Sequence, residues 1–144
     1  MATYPAPLKL EDEAAYKAHF EALYCAGAIM TFDGIGVRFR KTDFEHCFFE
    51  SSQRNRIKDT FSPQRAERME WISIALQDTR ADRFVGWDRD SKKYRSDRRV
   101  TVVCGDYVVV IAIISPNDGR FITAYVADTP ASLARIKASP KWTP

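Results

Sequence analysis

The chain has two histidines, and histidine is the side chain whose ordinary ionisation lies nearest neutral pH. His46 lies on a short predicted helix, outside its apolar stripe, about eight residues before a basic segment that holds Arg54, Arg56 and Lys58. His19 lies beside the apolar stripe of the first predicted helix, where a structural role is the expectation. We therefore interpret His46 as the candidate for acid–base chemistry. A bystander role on a solvated surface is its alternative.

The segment Phe121–Val126 predicts the last strand, and its hydroxyl groups repeat with the strand period. Thr123 and Tyr125 should share the open face of the sheet with Phe121. The alternative is ordinary strand composition, because threonine and tyrosine favour strands without any special role. The intervening residues should face a core under the helices: Ile122, Ala124 and Val126.

Positive charge is concentrated in the middle of the chain. The total is +3, from 22 basic and 19 acidic side chains, and this excludes a histone-like protein. Residues 51–100 hold 13 basic and 8 acidic side chains, a net charge of +5, while residues 1–50 have a net charge of −3. The basic segment Lys92–Arg99 also contains Tyr94, whose ring could stack on a base. This distribution favours a polyanionic partner, with a solvated surface of mixed charge as the alternative.

Several classes of function are poorly supported. The sequence has no histidine–cysteine metal motif, no phosphate-binding glycine loop and no Gly-x-Ser-x-Gly segment, so we expect neither a metal nor a cofactor. The three cysteines are odd in number and include no C-x-x-C pair, which is typical of thiols in a reducing cytoplasm. The longest apolar run, Tyr107–Ile114, is far shorter than the ~20 residues that span a membrane. We predict a cytoplasmic protein without membrane contact.

Periodicity predicts helices first and strands afterwards. The predicted fold class is α+β, a single domain over residues 1–144 with N-terminal helices packed on a four-stranded antiparallel meander. A capping box of Thr42 and Glu45 is expected to open the second helix, and a short terminal helix over Ala131–Ala138 is a further candidate. The other predicted elements are a helix over Glu11–Ala26, a hairpin around Asp33-Gly34, helices over Asp43–Ser51 and Ser62–Asp78, and strands at Phe84–Trp87, Lys92–Arg95, Val100–Cys104, Tyr107–Ile114 and Phe121–Ala127.

Over about Val37–Asp128 the chain resembles the phage and plasmid branch of the barnase–EndoU–colicin–RelE-like (BECR) ribonuclease fold. Four segments carry the resemblance: FEHCFFE, DTRADRFVGWD, DYVVVIAI and GRFITAY. The resemblance leaves residues 1–30 outside, as a helical extension of a core over residues 37–128.

The resemblance implies a metal-independent endoribonuclease in which the 2′-hydroxyl attacks the adjacent phosphorus. His46 would be the group that titrates near neutrality, Thr123 the hydroxyl of the last strand, and Tyr125 a phosphate or base contact. Lys58 and Arg99 would stabilise the added negative charge. No second histidine lies near the end of the sheet, so Tyr125, Lys58 or the substrate would supply the other proton. RNA would be held by Arg54, Arg56, Tyr94 and Arg95.

Three functions stay open at this point. The first is a toxin-like or phage-associated ribonuclease, whose protective partner would be an acidic protein of the immunity or antitoxin type. The second is a non-catalytic RNA-binding module on the same scaffold. The third is a protein-interaction or small-ligand domain that uses the tryptophans Trp71, Trp87 and Trp142.

Overall fold

A computed structural model describes residues 4–51, 59–88, 93–94, 99–127 and 129–142, of which 87–88 and 93–94 are described as backbone only. Its helices are Glu13–Tyr24 (α1), Asp43–Phe48 (α2), Pro63–Ala66 (α3), Glu70–Gln77 (α4) and Pro130–Lys137 (α5). Its strands are Ile29–Met30 (β1), Gly36–Arg38 (β2), Phe49–Glu50 (β3), Thr60–Phe61 (β4), Asp82–Val85 (β5), Trp87–Asp88 (β6), Lys93–Tyr94 (β7), Arg99–Cys104 (β8), Tyr107–Ser115 (β9) and Asp118–Val126 (β10). None of the helices in these ranges has the length and apolarity needed to cross a membrane.

The main sheet has six strands in the order β1-β2-β10-β9-β8-β5. The α+β class is therefore confirmed, whereas the predicted four-stranded antiparallel sheet is wrong. Strands β5, β8, β9 and β10 do form an antiparallel meander, but the β1–β2 hairpin extends it, and β2 pairs with β10 in parallel. The hairpin itself follows from Gly34, whose φ of 90° suits a tight turn. Two small ladders, β3–β4 and β6–β7, lie outside this sheet.

The helices differ from their predicted limits. The predicted capping box does not form: Thr42 makes no side-chain cap, and the buried Asp43 carboxylate instead accepts a hydrogen bond from the Arg40 backbone N–H at 2.8 Å. The helix expected over Ser62–Asp78 is divided into α3 and α4 by a turn over residues 67–69. The predicted terminal helix is confirmed as α5, whose first turn is capped by the Thr129 side chain.

One face of the sheet packs against α1, α2 and α4 around a column of aromatic rings. Phe39 stacks on Tyr24 at 4.5 Å and on Phe121 at 4.7 Å between ring centroids, which links α1 to β10. Burial of each large apolar side chain contributes roughly 1.5–3 kcal/mol. Helix α1, which the resemblance left outside the core, supplies three buried rings: Tyr16, Phe20 and Tyr24.

The opposite face of the sheet, called here the outer face, is covered only in part. Helix α5 packs Leu133 and Ile136 onto a smaller apolar cluster of Phe84, Val103 and Val108. This cover lies at the end of the sheet where β8 turns into β9 at Gly105. The other end of the outer face, where β10 begins, carries exposed side chains instead.

We predict that Gly86→Ala destabilises the fold by about 1–3 kcal/mol, the usual cost of overpacking. A Cβ at Gly86 would lie 2.5 Å from the Cβ of Arg99, which is fixed to strand β8 and cannot rotate away. Urea unfolding should show the loss. Gly27→Ala is the matched control, because a Cβ there meets nothing within 4 Å. Equal midpoints for the two variants would contradict the close approach of Gly86 to β8.

Candidate functional site

A β-bulge at Ile122 determines which side chains of β10 share a face. Phe121 pairs with Ile111 and Thr123 pairs with Val110, so two residues of β10 span one step of β9. Phe121 therefore lies in the helix-covered core, 1% exposed, and its predicted place beside Thr123 is wrong. The predicted core position of Ile122 is wrong too, since this half-buried residue is the unpaired one. After the bulge, Ala124 faces the core, while Thr123 and Tyr125 share the outer face as predicted.

Helix α2 closes the edge of β10 that β2 leaves uncovered. The parallel pairing with β2 ends where Arg38 meets Arg120. Beyond that point the Cys47 Sγ accepts a hydrogen bond from the Ala124 N–H and donates one to the Ala124 carbonyl, each at 3.3 Å. A cysteine side chain thus takes the place of a neighbouring strand, and it fixes α2 against the middle of β10.

The protonated thiol suits this position. Burial, the largest cause, raises the pKa of Cys47 to about 11, and hydrogen bonds with the Ala124 backbone and the Thr123 side chain partly oppose the rise. Cys47 is completely buried, so desolvation disfavours the thiolate there. The S–H group therefore remains available to donate to the Ala124 carbonyl at neutral pH.

His46 precedes this anchoring cysteine and is exposed. Neighbouring helical side chains are about 100° apart around the axis. Phe44 and Phe48 face the core, and Glu45 pairs with Lys17 of α1 at 3.0 Å. His46 consequently projects away from the core, on the arc between Glu45 and Cys47. Within the described ranges no hydrogen bond joins His46 to Thr123 or Tyr125, so the imidazole is available to a ligand.

Arg65 of α3 completes this edge of the sheet. Its guanidinium donates to the Cys47 carbonyl at 3.2 Å, pairs with Glu50 at 3.4 Å and lies 5.9 Å from the centroid of the Tyr125 ring. The contact with the last turn of α2 is favourable, because the carbonyl end of a helix attracts a cation. Arg65 is about 29% exposed, so it can still meet a bound anion.

The two hydroxyl-bearing residues of β10 differ in their surroundings. Tyr125 packs against the apolar cluster under α5 and is half-buried, so its ring is less open than predicted. Thr123 is one position further from α5, and it is also half-buried. The structure thus brings together, along one edge, the helix of His46, the guanidinium of Arg65, and the side chains of Thr123 and Tyr125.

Of the remaining predicted site residues, the structure describes only Arg99 with its side chain. Arg99 is on the outer face, but two strands away from Thr123 and one row further along, roughly 12 Å between Cα atoms from the standard strand spacings. It is therefore outside the group around Arg65. Tyr94 is described only as part of β7. Four predicted cations lie outside the described residues: Arg54, Arg56, Lys58 and Arg95.

Three arginines that line this part of the sheet are not among the predicted site residues. Arg65 and Arg68 form a basic pair one turn apart on the helix predicted over Ser62–Asp78, but their position in the sequence does not place Arg65 beside Tyr125. Arg120 has the opposite strand parity from Thr123, and only the bulge puts them on one face. Arg38 joins them because β2 pairs in parallel with β10, a long-range contact without a local signal.

The other histidine has a structural environment. His19 Nε2 lies 3.4 Å from a carboxylate oxygen of Glu70, which links α1 to α4. In the described part of the chain no three histidine, cysteine or acidic side chains converge as metal ligands would.

Comparisons with models of known protein families, with curated proteins and with solved structures give no match for this chain. The site therefore has to be interpreted from its own geometry.

We predict that Cys47→Ala lowers the free energy of unfolding at pH 7 by about 2 kcal/mol, because it leaves the buried Ala124 N–H and carbonyl without a partner. Cys47→Ser should keep most of the wild-type stability, since a hydroxyl can make both hydrogen bonds. Urea unfolding of the three proteins checks this. Equal stability of the alanine and serine variants would contradict the anchoring role of the thiol.

The same thiol predicts an alkaline loss of stability. The unfolded state loses its thiol proton near pH 9 and the folded state near pH 11, so the folded state binds more protons between these values. Stability due to Cys47 is therefore complete below pH 9 and falls by at most about 3 kcal/mol as the pH rises to 11. Unfolding of wild type between pH 8 and 11 should show the decline, and Cys47→Ser should reduce it, leaving the part that comes from the raised pKa values of Cys25, Cys104 and Tyr24. Identical pH profiles would contradict the shift.

Proposed function

We propose that this chain is a metal-independent endoribonuclease. The observation that carries the proposal is the attachment of α2 to β10 through Cys47 and Ala124, because it holds the helix of His46 against the strand of Thr123 and Tyr125. Arg65 supplies a cation at the same edge. A base, a cation and hydroxyl donors are the groups that 2′-hydroxyl transphosphorylation requires.

In the proposed reaction His46 accepts the proton of the 2′-hydroxyl as that oxygen attacks the neighbouring phosphorus. The bond from phosphorus to the 5′-oxygen breaks, and the products are a 2′,3′-cyclic phosphate and a 5′-hydroxyl end. Arg65 stabilises the negative charge that develops on the phosphoryl oxygens, and Thr123 donates a hydrogen bond to one of them. Tyr125 or Lys58 returns a proton to the leaving 5′-oxygen.

The position of Arg65 gives it two roles in this proposal. Its hydrogen bond to the Cys47 carbonyl fixes the last turn of α2, which carries His46, and its guanidinium carbon lies 5.9 Å from the centroid of the Tyr125 ring. A planar guanidinium with five N–H donors can hold a helix end and a phosphate at the same time. This arrangement replaces the cation that the sequence assigned to Arg99.

A non-catalytic RNA-binding module is the second candidate function. The observation that favours it is the position of Arg99, whose Cα lies roughly 12 Å from that of Thr123, so this cation can bind a phosphate without contacting the group around Arg65. The two functions differ in one outcome, since a binding module retains RNA and releases no cyclic phosphate. An acidic protein that covers the basic surface is the partner we propose for a toxin-like ribonuclease.

We expect His46→Ala to abolish RNA cleavage while the urea midpoint stays within experimental error, because the exposed His46 side chain makes no hydrogen bond or ion pair with another described residue. The measurement is the release of cyclic-phosphate ends from 5′-labelled total RNA in EDTA, which removes contaminating metal-dependent nucleases. His19→Ala is the matched control and should retain cleavage. Wild-type cleavage by the His46 variant would overturn its role, and a wild-type protein that binds RNA without cleavage would leave the binding module as the function.

A further inference from the structure

Three arginines form one row across the outer face of the sheet. Arg38 of β2 pairs with Arg120 of β10, Arg120 with Ala112 of β9, and Ala112 with Arg99 of β8. Residues that pair across neighbouring strands point to the same face. Strands are about 4.8 Å apart, so Arg38 and Arg120 are direct neighbours, and Arg99 follows after one small residue, about 14 Å from the start of the row. We call this set the arginine row.

The arginine row is not neutralised by its described surroundings. Arg38 and Arg120 are exposed, Arg99 is half-buried, and none of the three guanidinium groups has a hydrogen bond or ion pair with another described residue. Asp118 lines the same groove as Arg38 and Arg120, and its carboxylate accepts a hydrogen bond from the Ser115 hydroxyl at 2.9 Å. Like charges directly opposite each other destabilise a sheet. Repulsion between neighbouring arginines lowers the stability of the fold unless an anion is bound, so this arrangement indicates an anion-binding site.

The shape of the surface favours a chain-like anion. One end of the arginine row borders an open groove lined by Arg38, Ile114, Asp118, Gly119 and Arg120. Ile114 is 62% exposed there and offers an apolar surface for a base or ribose. The Cα atoms of Arg38 and Arg99 are about 14 Å apart, so a polymer with repeated charges can contact all three arginines without their side chains having to converge on one point.

The arginine row also leads toward the candidate active site. The next row of the outer face holds Thr123, Val110 and Thr101, which places Thr123 beside Arg120 across the bulge. A strand held on the arginine row would therefore reach the edge where Arg65 and Tyr125 lie. Planar guanidiniums bind phosphate oxygens in pairs, which suits them to a phosphodiester backbone.

We propose that the arginine row binds the phosphodiester backbone of single-stranded RNA next to the cleaved bond. The identity of the polymer as a substrate rests on the proposed function, but binding by the row does not require cleavage. Arg120 lies beside Thr123, and the row continues from it to Arg38 of β2 on one side and to Arg99 of β8 on the other. The bound RNA backbone would therefore run across β10 toward both of these strands. The row is thus a substrate-holding surface separate from the reacting groups.

The test uses the full chain and a fluorescein-labelled, mixed-sequence 12-mer of 2′-O-methyl RNA, which cannot be cleaved by its 2′-oxygen. Anisotropy titrations compare wild type with Arg38→Gln/Arg99→Gln/Arg120→Gln at several salt concentrations. For wild type, three phosphate contacts predict a slope of log K against log[salt] of about −2. For the triple variant, which lacks these contacts, we expect a slope close to zero. We expect the triple variant to bind at least tenfold more weakly in low salt.

The matched control removes the same charge elsewhere: Lys9→Gln/Lys41→Gln/Arg135→Gln, three exposed side chains on other parts of the surface. It should bind within threefold of wild type. Equal weakening of both triple variants would overturn the proposal, because it would indicate nonspecific attraction. The melting temperature of the arginine-row variant should be no lower than that of wild type. A lower melting temperature would contradict the claim that the three guanidinium groups lack neutralising partners in the free protein.

Two further results separate this proposal from its alternatives. Polyglutamate of similar charge should bind at least tenfold more weakly than the 12-mer, and equal or tighter binding would overturn RNA in favour of an acidic protein. His46→Ala should bind the 12-mer like wild type. If binding depends on the arginine row but ordinary RNA is not cleaved, the ribonuclease proposal is refuted and RNA binding by the row is supported. If ordinary RNA is cleaved but binding does not depend on the row, only the proposal for the row is refuted.

Discussion

The hydrogen bonds between Cys47 and the Ala124 backbone are the contact on which the candidate active site depends. The N–H and C=O groups along one side of β10 must find partners, and they pair first with β2 and, beyond the end of β2, with one buried thiol. Because Cys47 is on α2, this requirement of the strand also determines where His46 lies. Arg65 adds to the same arrangement through the Cys47 carbonyl. The chemistry proposed for this edge is thus a consequence of how the sheet is closed.

The bulge at Ile122 is the second constraint, and it serves two surfaces. Without it, strict alternation would put Phe121 on the outer face and Arg120 in the core. With it, Phe121 completes the aromatic column with Phe39, and Arg120 joins Thr123 on the outer face. Because of this one extra residue, Phe121 lies in the core while the polar residues before and after the bulge, Arg120 and Thr123, both lie on the outer face.

The sequence supported the parts of the structure that have local signals. Gly34 marked the turn of the first hairpin, periodicity located α1, and alternation placed Thr123 and Tyr125 on one face. It failed where a long-range contact decides the outcome. The parallel pairing of β2 with β10 joins residues about eighty positions apart, and the local sequence of neither strand indicates its partner.

The same distinction explains the cations. Charge counting favoured residues 51–100, because clusters in sequence are visible there, and the resemblance assigned Arg99 as a catalytic cation. Of the described arginines that line the two surfaces, Arg65 and Arg99 lie in that part of the chain, whereas Arg38 and Arg120 come from segments outside it. Each is unremarkable within its own segment, and only the sheet and the docking of α3 bring them together. A net charge of +3 is compatible with a concentrated anion site, since the field at a surface depends on which charges the fold makes neighbours.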